Sequence, residues 1–323
     1  MFRGDHCQRL LEAYLLKRPS HLNFWREVPE ENPKAGYDRL GEYYLTYRQK
    51  ADYPGPFDPQ GIPLLNYRGR VGLRYNPIAI AQYGLAQFNR CRQTGDAGVC
   101  KRTLGVADWL VQHLERTPAG SELWTHDFEW PYREILRPPW GSALAQGQGI
   151  SVLVRAQLLA NDSLYLQVAQ RALKAFELPM KEGGVVAREP EGDLWLEEYL
   201  VTPPSHILNG SIGACWGLFD YWLATRDPTA KRIFDEAADT LARHLHRYDA
   251  GFWSLYELPS NGAPMLASPF YHRLHIVQLK ILTRMTGQPL FDQYAGRWAD
   301  YEKNRWYRAR ALWRKAIFKL FHY

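Results

Sequence analysis

Two regimes of hydrophobic and polar patterning divide the chain. From residue 77 onward, apolar positions recur at helical i, i+3, i+4 and i+7 spacings. These stretches lie near 77–92, 97–116, 142–160, 162–177, 205–224, 228–246, 270–286 and 289–303. Asn76-Pro77, Asp227-Pro228 and Pro289 put proline in a first turn, where its missing N–H has no helical partner to lose. The links Ala160-Asn161-Asp162 and Thr225-Arg226-Asp227 are short, which predicts antiparallel neighbouring helices. Longer linkers rich in Gly, Pro and aromatics, at 118–141, 178–204 and 247–269, separate the pairs. Within them Gly183 to Tyr199 alternates loosely and Gly251 to Leu258 is aromatic-rich; both predict strands.

The first 60 residues are less regular. Residues 1–18 predict a short helix, and Tyr43 to Tyr47 an extended segment paired as a hairpin with 62–75. A Pro/Gly-rich connection at 52–64 separates these two. Three regions follow: an N-terminal segment 1–60, a helical domain 61–302 and a terminal helix 303–323.

The helical pairs repeat. Gln82, Gln148, Gly213 and Gln278 are spaced 66, 65 and 65 residues apart, each in the first helix of its pair. A period of this size indicates stacked helical hairpins. The expected fold is mainly α: an α/α toroid, an incomplete α/α barrel of about four hairpins, with short β-hairpins at its rim and in the N-terminal region. Polar first helices would line the cavity and second helices would form the outer wall.

Composition adds to this picture in two places. Of 323 residues 46% are hydrophobic, enough for a large core. Aromatics reach 14%, with 12 Trp and 20 Tyr; such rings serve equally a heavy core or a sugar-binding cleft. The net charge of +6 is concentrated at one end. Residues 303–323 hold seven Lys or Arg and no acid, so the rest is near neutral. In that stretch Trp306, Ala309, Trp313, Ile317, Leu320 and Phe321 fall at helical spacing between basic residues. A basic amphipathic helix of this kind either docks on the body or lies on an anionic membrane surface. The body offers no basic stripe for nucleic acid.

Cys7, Cys91, Cys100 and Cys215 show no zinc-ligand spacing, and no metal is expected. Cys91 and Cys100 are close enough in sequence to pair, but reduced thiols in a cytoplasmic protein are the simpler expectation. Residues 10–16 are a short apolar run without a cleavage site, so no secretory signal is expected. No run reaches ~18 apolar residues. The expected location is cytoplasmic, peripheral on the inner membrane face if the tail binds lipid; oligomerisation is left open.

The densest chemistry lies at Trp195 to Gly213, W-L-E-E-Y-L-V-T-P-P-S-H-I-L-N-G-S-I-G. Two carboxylates and a phenol precede a Pro-Pro turn and a helix start, with Asn209 close behind. The segment resembles the E-E-Y-P-x-x-P-x-x-x-x-L-N-G signature of the D-glucuronyl C5-epimerases of heparan-type polysaccharides. Tyr75 to Leu85, Ser142 to Ser151, Asp249 to Leu258 (ending Y-E-L) and Tyr271 to Leu279 (Y-H-R-L-H-I-V-Q-L) resemble further family segments in the same order. The resemblance implies an α/α barrel without organic cofactor, which inverts C5 of glucuronate inside an acidic polysaccharide to give iduronate. It places the functional tyrosines at Tyr199, Tyr256 and Tyr271 and the acidic partner at Glu198.

That chemistry needs a base on one face of C5, an acid on the other and donors around the sugar carboxylate. Glu198 or Tyr199 would serve one face and Tyr271 the other, with Tyr256 bonding the carboxylate or sharing the proton. A phenol, with a pKa of about 10, acts as base near neutrality only beside positive charge or donors. Tyr75, Gln82, Gln146, Gln148, Asn209, His272, His275, Arg74 and Arg188 are candidate substrate contacts. Each also has a bland reading: an amide closing a helix contact, a buried histidine on a backbone group, a solvated arginine. Tyr271, His275 and Gln278 share one helix face. The chain departs from the family pattern at Leu200, where proline is usual, and at Pro259, where Arg-His follows Y-E-L; Arg273 is the candidate replacement cation. The large N-terminal β region of the animal enzymes is absent from this sequence.

Three other readings stand beside an epimerase. A polysaccharide lyase abstracts the same proton but expels the C4 oxygen. A toroid glycoside hydrolase needs a second carboxylate, from Asp127 or Glu129. A membrane-associated glycan-binding or assembly protein would use the same cavity without catalysis.

Overall fold

A computed structural model of the chain describes residues 24–259 and 264–322. The helix expected at 1–18 lies outside the described residues. Eight helices form four antiparallel hairpins: α1 (Pro77–Thr94) with α2 (Ala97–Gln112), α3 (Ala143–Ala160) with α4 (Ser163–Leu173), α5 (Leu208–Thr225) with α6 (Pro228–His244), and α7 (Pro269–Thr286) with α8 (Pro289–Lys303). A further helix, α9 (Arg305–His322), follows. The fold is an incomplete α/α toroid.

Local chemistry explains the hairpins. Each first helix ends on a left-handed residue, Gly95, Asn161, Arg226 or Gly287. That geometry satisfies the last helical carbonyls and turns the chain sharply. The next residue is then the N-cap of the second helix. Asp96, Asp162 and Asp227 accept from Val99, Leu164 and Ala230 N–H, binding amides that have no helical partner. Asn76, Ser142 and Ser268 cap α1, α3 and α7 in the same way.

The first helices form the inner layer. In α3 every residue from Ala143 to Ala156 is buried, and α5 is buried continuously from Leu208 to Tyr221. The second helices α2, α4, α6 and α8 bury one face each. Small residues bring α3 and α5 into backbone contact. A Cβ added to Gly147 would lie 2.6 Å from the Ala214 carbonyl oxygen, and one on Gly217 would collide with the Gly147 carbonyl. Deeper in, Arg155 of α3 pairs with Asp220 of α5 at 2.5 Å, both side chains at most 1% exposed. Tyr44 donates to the same aspartate at 2.6 Å.

Tyr44 belongs to a segment the sequence read differently. Residues 43–47 do not pair with 62–75. Leu45 bridges to Glu31 and the preceding Glu42 to Ala35, while β1 (Leu65–Asn66) and β2 (Leu73–Arg74) form their own hairpin. The reason is lateral: Asn89 of α1 accepts from Tyr43 N–H and donates to the Leu45 carbonyl. Arg284 of α7 meets Glu31 at 2.6 Å. The N-terminal segment therefore fills the gap between α7 and α1.

The linkers form the rim as short antiparallel pairs: β3 (Glu115–Arg116) with β4 (Glu122–Leu123), β5 (Trp130–Pro131) with β6 (Ile135–Leu136), and β7 (Val186–Arg188) with β8 (Leu194–Leu196). The strand expected at Gly251 to Leu258 is replaced by turns with isolated bridges Asp249–Ser254 and Leu255–Leu266. Gly251 is left-handed, at φ 76°, and Phe252 and Trp253 are buried in the core rather than facing a partner strand. A second correction concerns the cysteines: Cys91 and Cys100 are disulfide-bonded, joining α1 to α2, and Cys215 is buried and free. Among the described residues no helix is long and apolar enough to cross a membrane.

Candidate active site

A cavity of about 250 Å³ opens at the N-terminal ends of the inner helices. Ligand pockets commonly run from ~300 Å³ upward, so its enclosed part suits about one sugar ring. α1 contributes Gln82, α3 Gln148, α5 Asn209, and α7 Phe270, Tyr271 and Gln278. The rim adds Tyr67, Trp130, Glu198 and Tyr199, and the N-terminal segment adds Trp25, Tyr47 and Lys50.

The two adjacent glutamates, just past the end of β8, face different ways. Glu197 points into the body. It accepts from His206 N–H at 3.1 Å and lies 2.6 Å from His206 Nδ1. Glu198 points into the cavity wall, buried, with Asn209 Nδ2 donating to it at 3.2 Å. Gly210 makes this placement possible, because any Cβ there would collide with the Glu198 carboxyl. Burial disfavours the charged form of Glu198 most, Asn209 offsets part of that, and nearby Glu197 adds to it; its pKa is pushed up to about 8.

The tyrosines surround this carboxyl. Tyr199 packs on Tyr132 at 4.5 Å between ring centres, and Tyr256 on Tyr271 at 4.9 Å. Tyr256 backs Tyr271 and is not itself among the cavity-lining residues. Burial, then the charge of Glu198, holds the phenols of Tyr199 and Tyr256 well above their ordinary pKa. At neutral pH they are donors. Among the described residues, none of the leading influences on either phenol is a positive charge of the kind that would make it a ground-state base. Gln278 donates to the Asn209 carbonyl at 2.9 Å and Gln82 to Gln148 at 3.3 Å. The side-chain carbonyls of Asn209 and Gln278 are buried with no protein partner.

Of the sequence-level candidates, the structure brings Glu198, Tyr199, Tyr271, Gln82, Gln148 and Asn209 to the cavity. Tyr256 stands directly behind it. Six others do not line it. Gln146 closes the loop contacts, donating to the Glu122 and Ala172 carbonyls and accepting from Trp124 N–H. His272 and His275 turn to Ser254, and His272 Nε2 meets the Trp298 carbonyl. Tyr75 donates to Asp58. Arg74 pairs with Asp127 and Arg188 with Glu236, both at the surface. Arg273, the suggested replacement cation, pairs with Glu302 at 2.5 Å. The sequence reading missed Lys50 and Tyr47. Lys50 lies within, and Tyr47 at the N-cap of, a four-residue helical turn, Arg48–Ala51, too short to show periodicity.

Comparison with known proteins fixes the family. The sequence profile of the D-glucuronyl C5-epimerase C-terminus matches residues 120–300. The chain belongs to this family. It is 35% identical over 214 residues to the D-glucuronyl C5-epimerase of Caenorhabditis elegans, covering 61% of this chain and 34% of that protein. The chain thus spans about a third of that relative's length. An uncharacterized protein of Methanocaldococcus jannaschii is 26% identical over 210 residues, covering 62% of this chain and 67% of that protein. Among solved structures, the cellobiose 2-epimerase of Bacillus thermoamylovorans B4167 superposes with a TM-score of 0.55 at 13% identity, covering 90% of this chain and 70% of that one. A D-mannose isomerase superposes at 0.51 with 11% identity, covering 79% and 68%. These structural likenesses concern the fold. The family match takes in β4 to β8, α3 to α7 and all but the last three residues of α8, and leaves out α1, α2 and the N-terminal wall of the cavity.

Proposed function

We propose that the chain is a cofactor-independent C5-epimerase. In this reading it converts D-glucuronate residues of a heparosan-like acidic polysaccharide to L-iduronate. The observation that carries the reading is the buried carboxyl of Glu198, with a pKa near 8, facing the same cavity as Tyr271. A base poised near the working pH gives efficient proton transfer.

Glu198, as carboxylate, takes the C5 proton. The C–H electron pair passes into the sugar carboxylate, which becomes an enediolate with a second negative charge. The Tyr271 phenol gives its proton to C5 from the opposite face, inverting the centre. Glu198 is then protonated and Tyr271 ionised, and exchange with solvent restores both. Asn209 orients Glu198. Tyr199, on the cavity wall, supplies a neutral donor close to the developing charge, where fixed donors act most strongly, and Tyr256 packs behind Tyr271 and positions its ring. Aromatic rings at the cavity, among them Trp130 and Phe270, suit the faces of a pyranose.

The test is NMR of heparosan incubated with the protein in D₂O. Iduronate signals bearing deuterium at C5, with the remaining glucuronate still protonated early in the reaction, are expected. Loss of exchange in Tyr271→Phe and Glu198→Gln would place both in the proton path. A 4,5-unsaturated, ultraviolet-absorbing product would mean a lyase. Saturable binding without exchange or cleavage would mean a glycan-binding protein.

A further inference from the structure

Lys50 is 4% exposed, and lysine is almost never so buried without a partner of opposite charge. It lines the same cavity as Glu198 and Tyr271. Its ammonium lies 3.8 Å from the centre of the Tyr47 ring, a cation–π contact. Among the described residues no carboxylate lies within ion-pairing distance of that ammonium. Glu27 is the nearest acidic influence on it, but the Glu27 carboxylate accepts from the backbone N–H groups of Gln49 and Lys50. The Tyr47 hydroxyl in turn accepts from Gln148 at 3.4 Å, so the ring under the ammonium is tied to the inner helices. Other cations near the rim are neutralised: Arg133 pairs with Glu257 and Arg74 with Asp127. Arg26, at the cavity edge, is exposed to solvent.

We propose that Lys50 is the cavity's carboxylate anchor, binding the carboxylate of a uronic acid sugar through a charge-assisted hydrogen bond. This deepens the functional reading above and rests on it for the sugar class. It assigns selectivity for acidic over neutral sugar rings to a residue outside the family-matched region. Burial also pulls the Lys50 pKa down to about 8, and a bound anion would raise it again.

The test is an NMR titration of the protein with 13C-labelled lysine, using D-glucuronate and, separately, glucose. A Lys50 signal that moves with glucuronate, with its apparent pKa raised, and does not move with glucose is expected. Lys50→Met should weaken glucuronate binding ~10-fold or more, since hydrogen bonds to charged groups contribute about 1.5–3 kcal/mol; Lys50→Arg should retain most of it. Unchanged glucuronate binding by a folded Lys50→Met, or no glucuronate binding by the wild type, would overturn the proposal. Lys50-dependent binding without C5 exchange in heparosan would uphold it while removing the epimerase reading.

A separate observation concerns α9. The helix docks through Ala311 and Lys315, which are buried, and Lys315 donates to the Leu266 carbonyl at 2.7 Å. The Arg310 guanidinium covers the Phe252 ring at 4.1 Å. This leaves Trp306 84% and Trp313 68% exposed, two turns apart on one face. Arg305 and Arg308 are exposed beside them. Indole rings flanked by arginines, in a stretch without any acid, match the interface of an anionic lipid surface. We infer that this face rests on such a surface. Co-sedimentation with phosphatidylglycerol-containing vesicles, absent with phosphatidylcholine alone and lost in Trp306→Ser/Trp313→Ser, is expected. Equal binding to both vesicles, no binding to either, or self-association abolished by the same substitutions would overturn it.

Discussion

Glu198 illustrates how a site can oppose the stability of the protein that holds it. Its folded-state pKa of about 8 lies above the ~4.3 of an unfolded glutamate. The proton is therefore held more tightly in the native state. The stability this contributes is complete below ~4.3 and is lost as pH rises through 8. Glu198→Gln keeps the shape and removes the ionisation. Thermal melts should show the variant matching or exceeding wild type at pH 8.5, with the gap shrinking towards pH 6, while the epimerisation rate falls by ~10²-fold or more. A variant that loses stability at pH 8.5 would mean that the carboxylate is better solvated than its burial implies. With Glu198 as base, kcat at saturating substrate, where the bound carboxylate keeps Lys50 charged, should rise with pH through about 8; a fall in kcat over that range would assign Glu198 the acid role. At this scale the sequence was partly legible. The segment from Glu197 to Gly210 pointed to the site because several chemical groups were adjacent. Gln146, His272 and His275 stand outside the cavity lining, and residue type does not reveal which buried group a polar side chain will satisfy. Gln146 completes three loop hydrogen bonds, and only the folded linker shows that they needed a partner.

The helical elements were legible because each signal was local. Every hairpin combined an apolar period with a left-handed residue and a following N-cap, so helix ends and turns could be read from a few positions. The strand expected at Gly251 to Leu258 failed for the opposite reason: whether an aromatic run pairs or packs depends on distant chain. The tightest element contact, between α3 and α5, is also readable in hindsight as glycines 147, 213 and 217. Gly217→Ala should cost ~1–3 kcal/mol, as overpacking does in close-packed interiors. Denaturant melts would measure it, and a neutral result would mean that the helices separate without loss. Arg155→Met should cost more, about 3–5 kcal/mol, because it strands Asp220 in a fully buried site. Reducing the Cys91–Cys100 bond should lower stability by ~2–3 kcal/mol, the range for short closed loops, although α1 and α2 also hold each other by packing.

As a whole, the molecule is a ring of four hairpins whose gap is filled by a segment with a single helical turn among its described residues. That segment joins α1 through Asn89, α5 through Tyr44 on Asp220, and α7 through Glu31 on Arg284. The same stretch carries Tyr47 and Lys50 to the cavity. Ring closure and one wall of the site are thus a single structure, a link the sequence could not show because it arises from contacts between Tyr43 and Asn89, Tyr44 and Asp220, and Glu31 and Arg284, all far apart in the chain. Tyr44→Phe isolates the link. It removes one hydrogen bond to a buried charge, worth about 1.5–3 kcal/mol, without opening a cavity or touching the cleft. Amide hydrogen exchange at residues 41–51 should accelerate while the buried turns of α3 and α5 stay protected. If the segment holds Lys50 in place, KM should rise several-fold with kcat nearly unchanged, because the displaced group binds substrate and moves no proton. Uniform acceleration across α3 and α5 would instead mean that the segment and the ring unfold as one unit. A kcat effect without a KM effect would mean that the segment acts on the proton-transfer residues.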